Sequence, residues 1–211
     1  MQLYFSPMAC SLASRITIYE AALEAEVVFH NVTLSTKRFD DDQDYWPVSA
    51  KGQVPALVTR DGSLLTENAA VLQYLADLAP QAQLAPPPTD PARYQLYQWL
   101  SFIGTELHKQ VFAVMFNPLQ HPPEAKAYAL EKALPKWLGI LDAAVADKPF
   151  LVGGSFTVAD AYLATVLTWC AAVKVSLHSW PAIAAYHARM VARPHVKRAI
   201  AEEYALFTKR A

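Results

Sequence analysis

Short apolar runs alternate with an amphipathic segment at the start of the chain. Residues 2–5 and 27–32 are β-rich runs, and residues 12–23 between them have a helical pattern. This arrangement predicts a strand, a helix and a second strand. Residues 35–50 are polar and show no clean periodicity, so we expect a loop there, with or without irregular helix.

A hairpin and a helix are predicted next. Residues 56–59 and 63–65 flank Arg60-Asp61-Gly62, and an Asp-Gly pair favours a two-strand turn because glycine accepts positive φ. The apolar residues that follow have amphipathic helical spacing; they are Ala69, Val71, Leu72, Leu75 and Leu78. The order strand, helix, strand, loop, two strands, helix is that of an α/β thioredoxin-like domain, which we place at residues 1–79.

Proline residues mark a domain boundary after this helix. Proline lacks an N–H and restricts the residue before it, so the proline-rich stretch 80–90 is interpreted as a linker. Strand patterns disappear beyond it. Helical segments are predicted at 91–116, 123–146, 158–173, 180–191 and 195–203. Residues 91–211 are therefore expected to form an all-α C-terminal domain.

Charge and composition narrow the classes of function. The 211 residues carry a formal net charge of -1, which does not favour a nucleic-acid partner. The apolar run 161–173 is shorter than the ~20 residues of a membrane span, so it predicts a buried helix. No secretory signal is evident at the N-terminus, and we expect a cytoplasmic protein.

Two cysteines offer different chemistry. They are too few for a disulfide framework, and their spacing matches no zinc site, so no metal is expected. A helix that begins just after Cys10 places positive partial charge near its thiol and favours the thiolate. A small residue that fills a buried turn is an equally good interpretation of Cys10. Cys170 lies inside the apolar helix and is expected to serve packing.

Three other positions have both a chemical and a structural interpretation. Val54 precedes Pro55, and a cis bond there would let the Val54 backbone pair with an extended peptide, although most X-Pro bonds are trans. Glu67 and Asn68 begin a helix and suit the charged amino-acid end of a ligand, or they simply cap the helix.

Two features of the predicted C-terminal helices are also candidates for a catalytic or a structural role. A lone helical histidine such as His108 is more often structural than catalytic. Thr157 and Asp160 have the spacing of a capping box that opens the apolar helix, and this structural interpretation is favoured there.

Six runs stand out along the chain: CSLAS at 10–14, KGQVPAL at 51–57, LTE at 65–67, QYLAD at 73–77, TELHK at 105–109 and FTVADAY at 156–162. Taken together and in order, these runs resemble the bacterial beta-class glutathione S-transferases. The resemblance implies glutathione as co-substrate, a small electrophile as second substrate, and a homodimer whose sites are completed by the partner subunit.

The resemblance also implies a role for individual residues. Cys10 and His108 resemble the family's active-site residues. The expected glutathione-binding residues are Ser11, Lys37, Gln53, Val54, Pro55, Glu67, Asn68, Ser101 and Thr105. Two of these depart from the family, because Asn68 stands where Gly or Ser is usual and Ser101 where Asn is common.

The second substrate and the reaction stay open at this point. Phe112, Met115 and Phe116 are candidates to line an electrophile pocket, although each is equally a core residue. Conjugation of the glutathione thiolate to a hydrophobic electrophile is the leading interpretation. The alternatives are glutaredoxin-like thiol–disulfide exchange through Cys10 and a non-enzymatic glutathione-binding module.

Overall fold

A computed structural model describes residues 1–117 and 119–209 and divides the chain into two compact units. The first unit, the thioredoxin-like unit, contains Met1–Ala85 and the chain from Arg193 onward. The second, the helical unit, is Pro86–Ala192.

A six-stranded mixed sheet forms the centre of the thioredoxin-like unit. Its strands are β1 (Gln2–Phe5), β2 (Val28–Thr33), β3 (Arg38–Phe39), β4 (Gln43–Asp44), β5 (Ala56–Val58) and β6 (Leu64–Thr66), in the order β4-β3-β2-β1-β5-β6. Only β1 and β2 pair in parallel, with Leu3 opposite Phe29. β5 pairs antiparallel with both β1 and β6, so the predicted hairpin is present.

The stretch 35–50, predicted as a loop, contains two short strands. β3 pairs antiparallel with β2, and β4 pairs with β3, which extends one edge of the sheet. Each of these strands has two residues, too few for an alternating pattern, and only Phe39 among them is buried. Phe39 packs into a cluster with Tyr4, Val32 and Tyr45, and this burial explains why the polar segment lies against the sheet.

Two helices of this unit come directly after strands of the sheet in sequence. Helix α1 (Leu12–Glu20) connects β1 to β2 and has only Glu20 outside the buried class. It ends three residues before the predicted boundary because Ala22 turns the chain with a φ of 55°. Helix α2 (Asn68–Leu78) follows β6 and buries Val71, Leu72 and Leu75.

The helical unit begins inside the proline-rich segment. Its helices are α3 (Ala92–Phe102), α4 (Val114–Phe116), α5 (Pro123–Tyr128), α6 (Leu134–Val145), α7 (Val158–Ala172) and α8 (Pro181–Ala192). π-Helical segments at Ile103–Ala113 and Ala129–Ala133 join α3 to α4 and α5 to α6. α7 is buried along most of its length.

A reciprocal capping box opens α7. Asp160 accepts hydrogen bonds from the Thr157 backbone N–H and hydroxyl, both at 2.8 Å. Its other oxygen accepts from the Leu151 N–H at 2.9 Å and from the Tyr186 hydroxyl at 2.6 Å. Burial raises the pKa of this carboxyl, and the four donors oppose that shift.

The last helix departs from the expected domain boundary. Helix α9 (Pro194–Thr208) packs on α1, although the sequence pattern assigns it to the C-terminal domain. Arg193, just before α9, makes two hydrogen bonds to Glu20 at 2.9 and 3.0 Å. In the part of the chain that the structure describes, no helix is both long and apolar enough to cross a membrane.

Candidate functional site

Cys10 lies in a tight turn, residues 6–11, between β1 and α1. The turn is closed by Ser11, whose hydroxyl accepts from the Ser6 N–H at 3.1 Å and donates to the Ser6 carbonyl at 3.2 Å. The Leu12 and Ala13 N–H groups donate to the backbone carbonyls of Ala9 and Cys10. The first two amides of α1 thus bond backbone carbonyls and not the thiol. The start of the helix acts on the Cys10 thiol through its dipole.

The thiol of Cys10 contacts the segment that precedes β5. Cys10 Sγ donates to the Val54 carbonyl at 3.2 Å, and the Val54–Pro55 peptide bond is cis. Cys10 is 8% exposed, and Val54 and Pro55 are also buried. The structure thus brings the nucleophile candidate and the peptide-pairing candidate together.

The start of α2 carries Glu67 and Asn68. Glu67 has a φ of 69°, a left-handed conformation that costs about 1–3 kcal/mol for residues other than glycine. Its carboxylate is exposed and pairs with Lys51 at 2.5 Å. Asn68 is buried; its Oδ1 accepts from the Ser14 hydroxyl at 3.4 Å, and its Nδ2 has no partner among the described residues.

Lys37 contacts Gly52, and Gln53 follows Gly52 in the chain. Lys37 Nζ donates to the Gly52 carbonyl at 2.7 Å, and the Tyr45 hydroxyl donates to the Gln53 carbonyl at 2.8 Å. A Cβ at Gly52 would come within 2.9 Å of the Trp46 ring and 3.1 Å of Lys37 Cε. Only glycine therefore lets these side chains approach so closely.

In the helical unit, His108 belongs to an aromatic group that we call the Trp169 cluster. Its members are His108, Phe112, Phe116, Tyr162 and Trp169. His108 Nδ1 and the Tyr162 hydroxyl are hydrogen-bonded at 2.7 Å, and the His108 and Trp169 ring centroids are 5.1 Å apart. Phe112 and Phe116 both contact Trp169 edge to face, at 5.5 and 5.7 Å.

The other candidates of this unit differ in exposure. Phe112 is fully buried, Met115 is half-buried, and Phe116 is 46% exposed. Ser101 and Thr105 are exposed, and the Thr105 hydroxyl donates to the Ser101 carbonyl at 3.0 Å.

Sequence patterns missed several residues that contact the candidates. Lys51, Tyr162 and Ser14 lie within matched motifs, but the motifs assign them no role of their own. Trp169 has the sequence context of an apolar core helix. Among residues 1–117 and 119–209, the structure holds no group of three or more His, Cys, Asp or Glu placed to bind a metal.

Two domain families match this chain. The N-terminal domain of glutathione S-transferases matches residues 8–78, and the C-terminal domain matches residues 97–194. Glutathione S-transferase GstA of Escherichia coli O157:H7 is 44% identical over 205 residues, which are 96% of this chain and 98% of that relative. Glutathione S-transferase GST-4.5 of Xanthomonas campestris is 33% identical over 208 residues, covering 96% and 98%.

Solved structures of glutathione transferases are also similar to this chain, over 96–97% of its length. A glutathione transferase from Methylococcus capsulatus has a TM-score of 0.91 at 44% identity, with 97% of this chain and 98% of that chain covered. A sphingomonad glutathione S-transferase in complex with glutathione has a TM-score of 0.90 at 38% identity, covering 96% and 98%. A beta-class enzyme of Sphingomonas chungbukensis has a TM-score of 0.90 at 39% identity, with the same coverage. The chain therefore belongs to the glutathione S-transferase family and is similar to its bacterial beta-class members.

Proposed function

We propose that this protein is a glutathione transferase that joins the glutathione sulfur to a hydrophobic electrophile. The observation that carries this proposal is the contact between Cys10 Sγ and the Val54 carbonyl. It places a thiol next to backbone that can pair with the cysteinyl residue of the tripeptide. The similar sphingomonad enzyme, solved with glutathione bound, supports the same ligand.

The charged γ-glutamyl end of glutathione fits the start of α2. The Glu67 carboxylate attracts the ammonium group, and the first N–H groups of α2 attract the carboxylate. The buried Asn68 Nδ2, which lacks a partner among the described residues, supplies a further donor for that carboxylate. This orphan amide suits an anionic ligand group.

The glycyl end of glutathione fits the side chains around Gly52. Lys37 carries the positive charge for the glycyl carboxylate, and Gln53 lies between Gly52 and Val54. Lys37 and Lys51 already have partners, since Lys37 donates to the Gly52 carbonyl and Lys51 pairs with Glu67. Glutathione therefore replaces or shares these contacts when it binds.

The second substrate belongs to the helical unit. The Trp169 cluster and Met115 offer aromatic and polarizable surface for a planar apolar electrophile. His108 and Tyr162 add hydrogen-bonding groups to an otherwise apolar cluster. Ser101 and Thr105 are exposed and are proposed to contact glutathione from a partner subunit.

The reaction needs an ionised glutathione thiol. The thiol loses its proton, the thiolate attacks an electrophilic carbon, a C–S bond forms, and the leaving group departs with its electron pair. The protein contributes by binding the tripeptide backbone and stabilising the sulfur near Cys10. Whole-length likeness to named glutathione transferases favours conjugation over disulfide exchange and over a non-enzymatic module. We place this activity in a cytoplasmic homodimer with a detoxifying role.

The direct test is conjugation of a chloronitrobenzene by the purified protein, measured as glutathione-dependent release of chloride. Saturation in both substrates and competitive inhibition by S-methylglutathione, which has no free thiol, are the expected results. S-methylglutathione binding without any conjugation across several electrophile classes would identify a binding module and contradict the proposal.

A further inference from the structure

The Cys10 turn includes a residue with unfavourable backbone geometry. Met8 has a φ of 61°, a left-handed conformation that side chains other than glycine and asparagine rarely adopt. The Ala9 N–H donates to the Ser6 carbonyl at 3.0 Å, and Ser11 closes the turn from the other side. Met8 is therefore a position where an L residue needs an external contact to hold the turn.

One such contact comes from α9. The Met8 N–H donates to Glu203 Oε2 at 2.8 Å, across 195 residues of sequence. Glu203 is fully buried on α9, and its Oε1 accepts from Arg15 Nε at 3.0 Å. The Arg15 guanidinium in turn lies over the rings of Phe5 and Phe29, at 4.3 and 4.2 Å from their centroids.

The neighbouring residue Glu202 provides a natural comparison. It also joins α9 to α1, since it accepts from the Tyr19 hydroxyl at 2.5 Å and lies 3.4 Å from Arg15 Nη1. Its other oxygen accepts from Arg198 at 2.8 Å, on α9 itself. Both glutamates therefore dock α9, but only Glu203 bonds the backbone of the Cys10 turn in these contacts.

We propose that Glu203 is a positioning residue for the active site, holding Met8 in its left-handed conformation and thereby fixing where Cys10 presents its thiol. The inference rests on the proposed role of Cys10 in the function above. It gives α9 a role in positioning Cys10, through the contact of Glu203 with the turn.

Burial makes this contact demanding. Glu203 is fully buried and the Met8 N–H is partly buried, so water compensates only in part for loss of this acceptor, and the left-handed backbone of Met8 adds a further cost. Burial also raises the pKa of Glu203 to about 7, against the opposing effect of Arg15. Arg15 and the Met8 N–H lower the pKa of Glu203, and the charge of Glu202 raises it.

The test compares Glu203→Gln with the matched control Glu202→Gln. The amide introduced by E203Q has one acceptor oxygen for two donors, so the charged Arg15 keeps that oxygen and the Met8 N–H loses its acceptor. Labelling of Cys10 by N-ethylmaleimide should accelerate about fivefold in E203Q, because a loosened turn exposes the thiol. The kcat/KM for glutathione should fall about tenfold. E202Q should stay within about twofold of the parent in both measurements.

Equal changes in both variants, or a lower unfolding midpoint of E203Q with unchanged Cys10 labelling, would overturn the proposal. A rescue variant sharpens it: Met8→Gly in the E203Q background should recover at least half of the lost kcat/KM, since glycine adopts positive φ freely. No recovery would show that Glu203 does not act through the Met8 conformation and would also overturn it.

One measurement needs no variant. In the parent protein the Met8 amide should exchange with deuterium as slowly as amides inside α1; exchange at the rate of an open turn contradicts the proposal. The labelling and exchange experiments do not depend on catalysis. A parent protein that shows no conjugation therefore refutes the proposed function, while these two experiments still decide the role of Glu203.

Discussion

The two thiols of the chain differ in what surrounds them. Cys170 lies within the buried helix α7, and burial raises its pKa to about 12. Cys10 lies in a turn, and its Sγ donates a hydrogen bond to a carbonyl that the tripeptide backbone is expected to approach. Reactivity should therefore be confined to Cys10, since a thiolate is the reactive form of cysteine.

Oxidised glutathione tests this difference directly. Incubation should give a single glutathione adduct that mass spectrometry maps to Cys10, and Cys10→Ala should abolish both the adduct and any disulfide exchange. Conjugation should survive in part in C10A, because the nucleophile there is the glutathione sulfur and other donors remain. An adduct on Cys170 alone, or no adduct in a protein that conjugates electrophiles, would place the reactive centre elsewhere.

Glu67 combines strained backbone with an exposed ion pair. A surface pair such as Glu67–Lys51 contributes about 0–1 kcal/mol to stability, so Glu67→Gln should leave the unfolding midpoint nearly unchanged. Glutathione binding should weaken about tenfold or more, since the ammonium loses its charged partner. Calorimetric titration measures this loss.

The matched control is Lys51→Ala, which breaks the same pair and keeps the carboxylate. Its affinity for glutathione should equal or exceed that of the parent, because Lys51 no longer competes for Glu67. Equal weakening in both variants would mean that the ion pair, and not the carboxylate, is what the ligand needs.

At the scale of elements, sequence periodicity located the long helices and failed where an element is short or ends without a marker. β3 and β4 have two residues each, and the pairing of β3 with the edge of β2 is a tertiary contact that no local pattern reports. α1 ends at Glu20, and the chain turns at Ala22, which takes a left-handed φ without glycine or asparagine to indicate it. α7 could be located well because Thr157 and Asp160 start it by a local mechanism.

The capping box at the start of α7 leads to a stability prediction for the helical unit. Asp160→Ala leaves four buried donors without an acceptor, so unfolding free energy should fall by about 2–4 kcal/mol, more than an exposed cap costs. Thr157→Ser keeps a hydroxyl at the cap and should cost much less. Chemical denaturation of the two variants makes the comparison, and equal midpoints for Asp160→Ala and the parent would contradict it.

The docking of α9 should give stability a distinct pH dependence. Burial raises the pKa of Glu203 from 4.5 to about 7, so between these values the folded chain binds more protons at this site than the unfolded chain. The stabilisation from this carboxyl is thus complete below about pH 4.5 and is lost as the pH rises through 7. Unfolding free energy of the parent, minus that of E203Q, should fall by about 1–3 kcal/mol between pH 5 and 8. A difference that is flat or rises with pH would show that Glu203 is ionised throughout.

At the scale of the whole chain, the motifs predicted the two-part organisation but not the return of the last helix. Residues 195–203 have a helical pattern that does not specify which unit α9 joins. The deciding contacts, such as Arg15 with Glu203, join residues 188 apart in sequence and depend on the folded sheet. The sequence does not indicate a role for Trp169 either. An aromatic residue in an apolar helix has the pattern of a core residue, and its contact with His108 is evident only in the folded chain.

Association of two chains is expected from family resemblance together with exposed apolar side chains of the helical unit. Tyr94 on α3 is 73% exposed, Tyr128 on α5 is 57% exposed, and Ile140 on α6 is 44% exposed. Such side chains are favoured in subunit interfaces. Sedimentation at micromolar concentration should report about twice 23.3 kDa.

The exposed Ser101 tests whether association completes the site. If the partner's residue at this position reaches glutathione, Ser101→Asn, which restores the amide common in the family, should tighten glutathione binding a few-fold, about 1 kcal/mol. The gain should vanish in dilute protein, where the dimer dissociates, because the added amide then lies too far from the tripeptide. Ser101→Ala is the control for loss of the hydroxyl alone and should not tighten binding. A monomer that binds glutathione as tightly as the dimer, with no effect of either substitution, would show that each chain carries a complete site of its own.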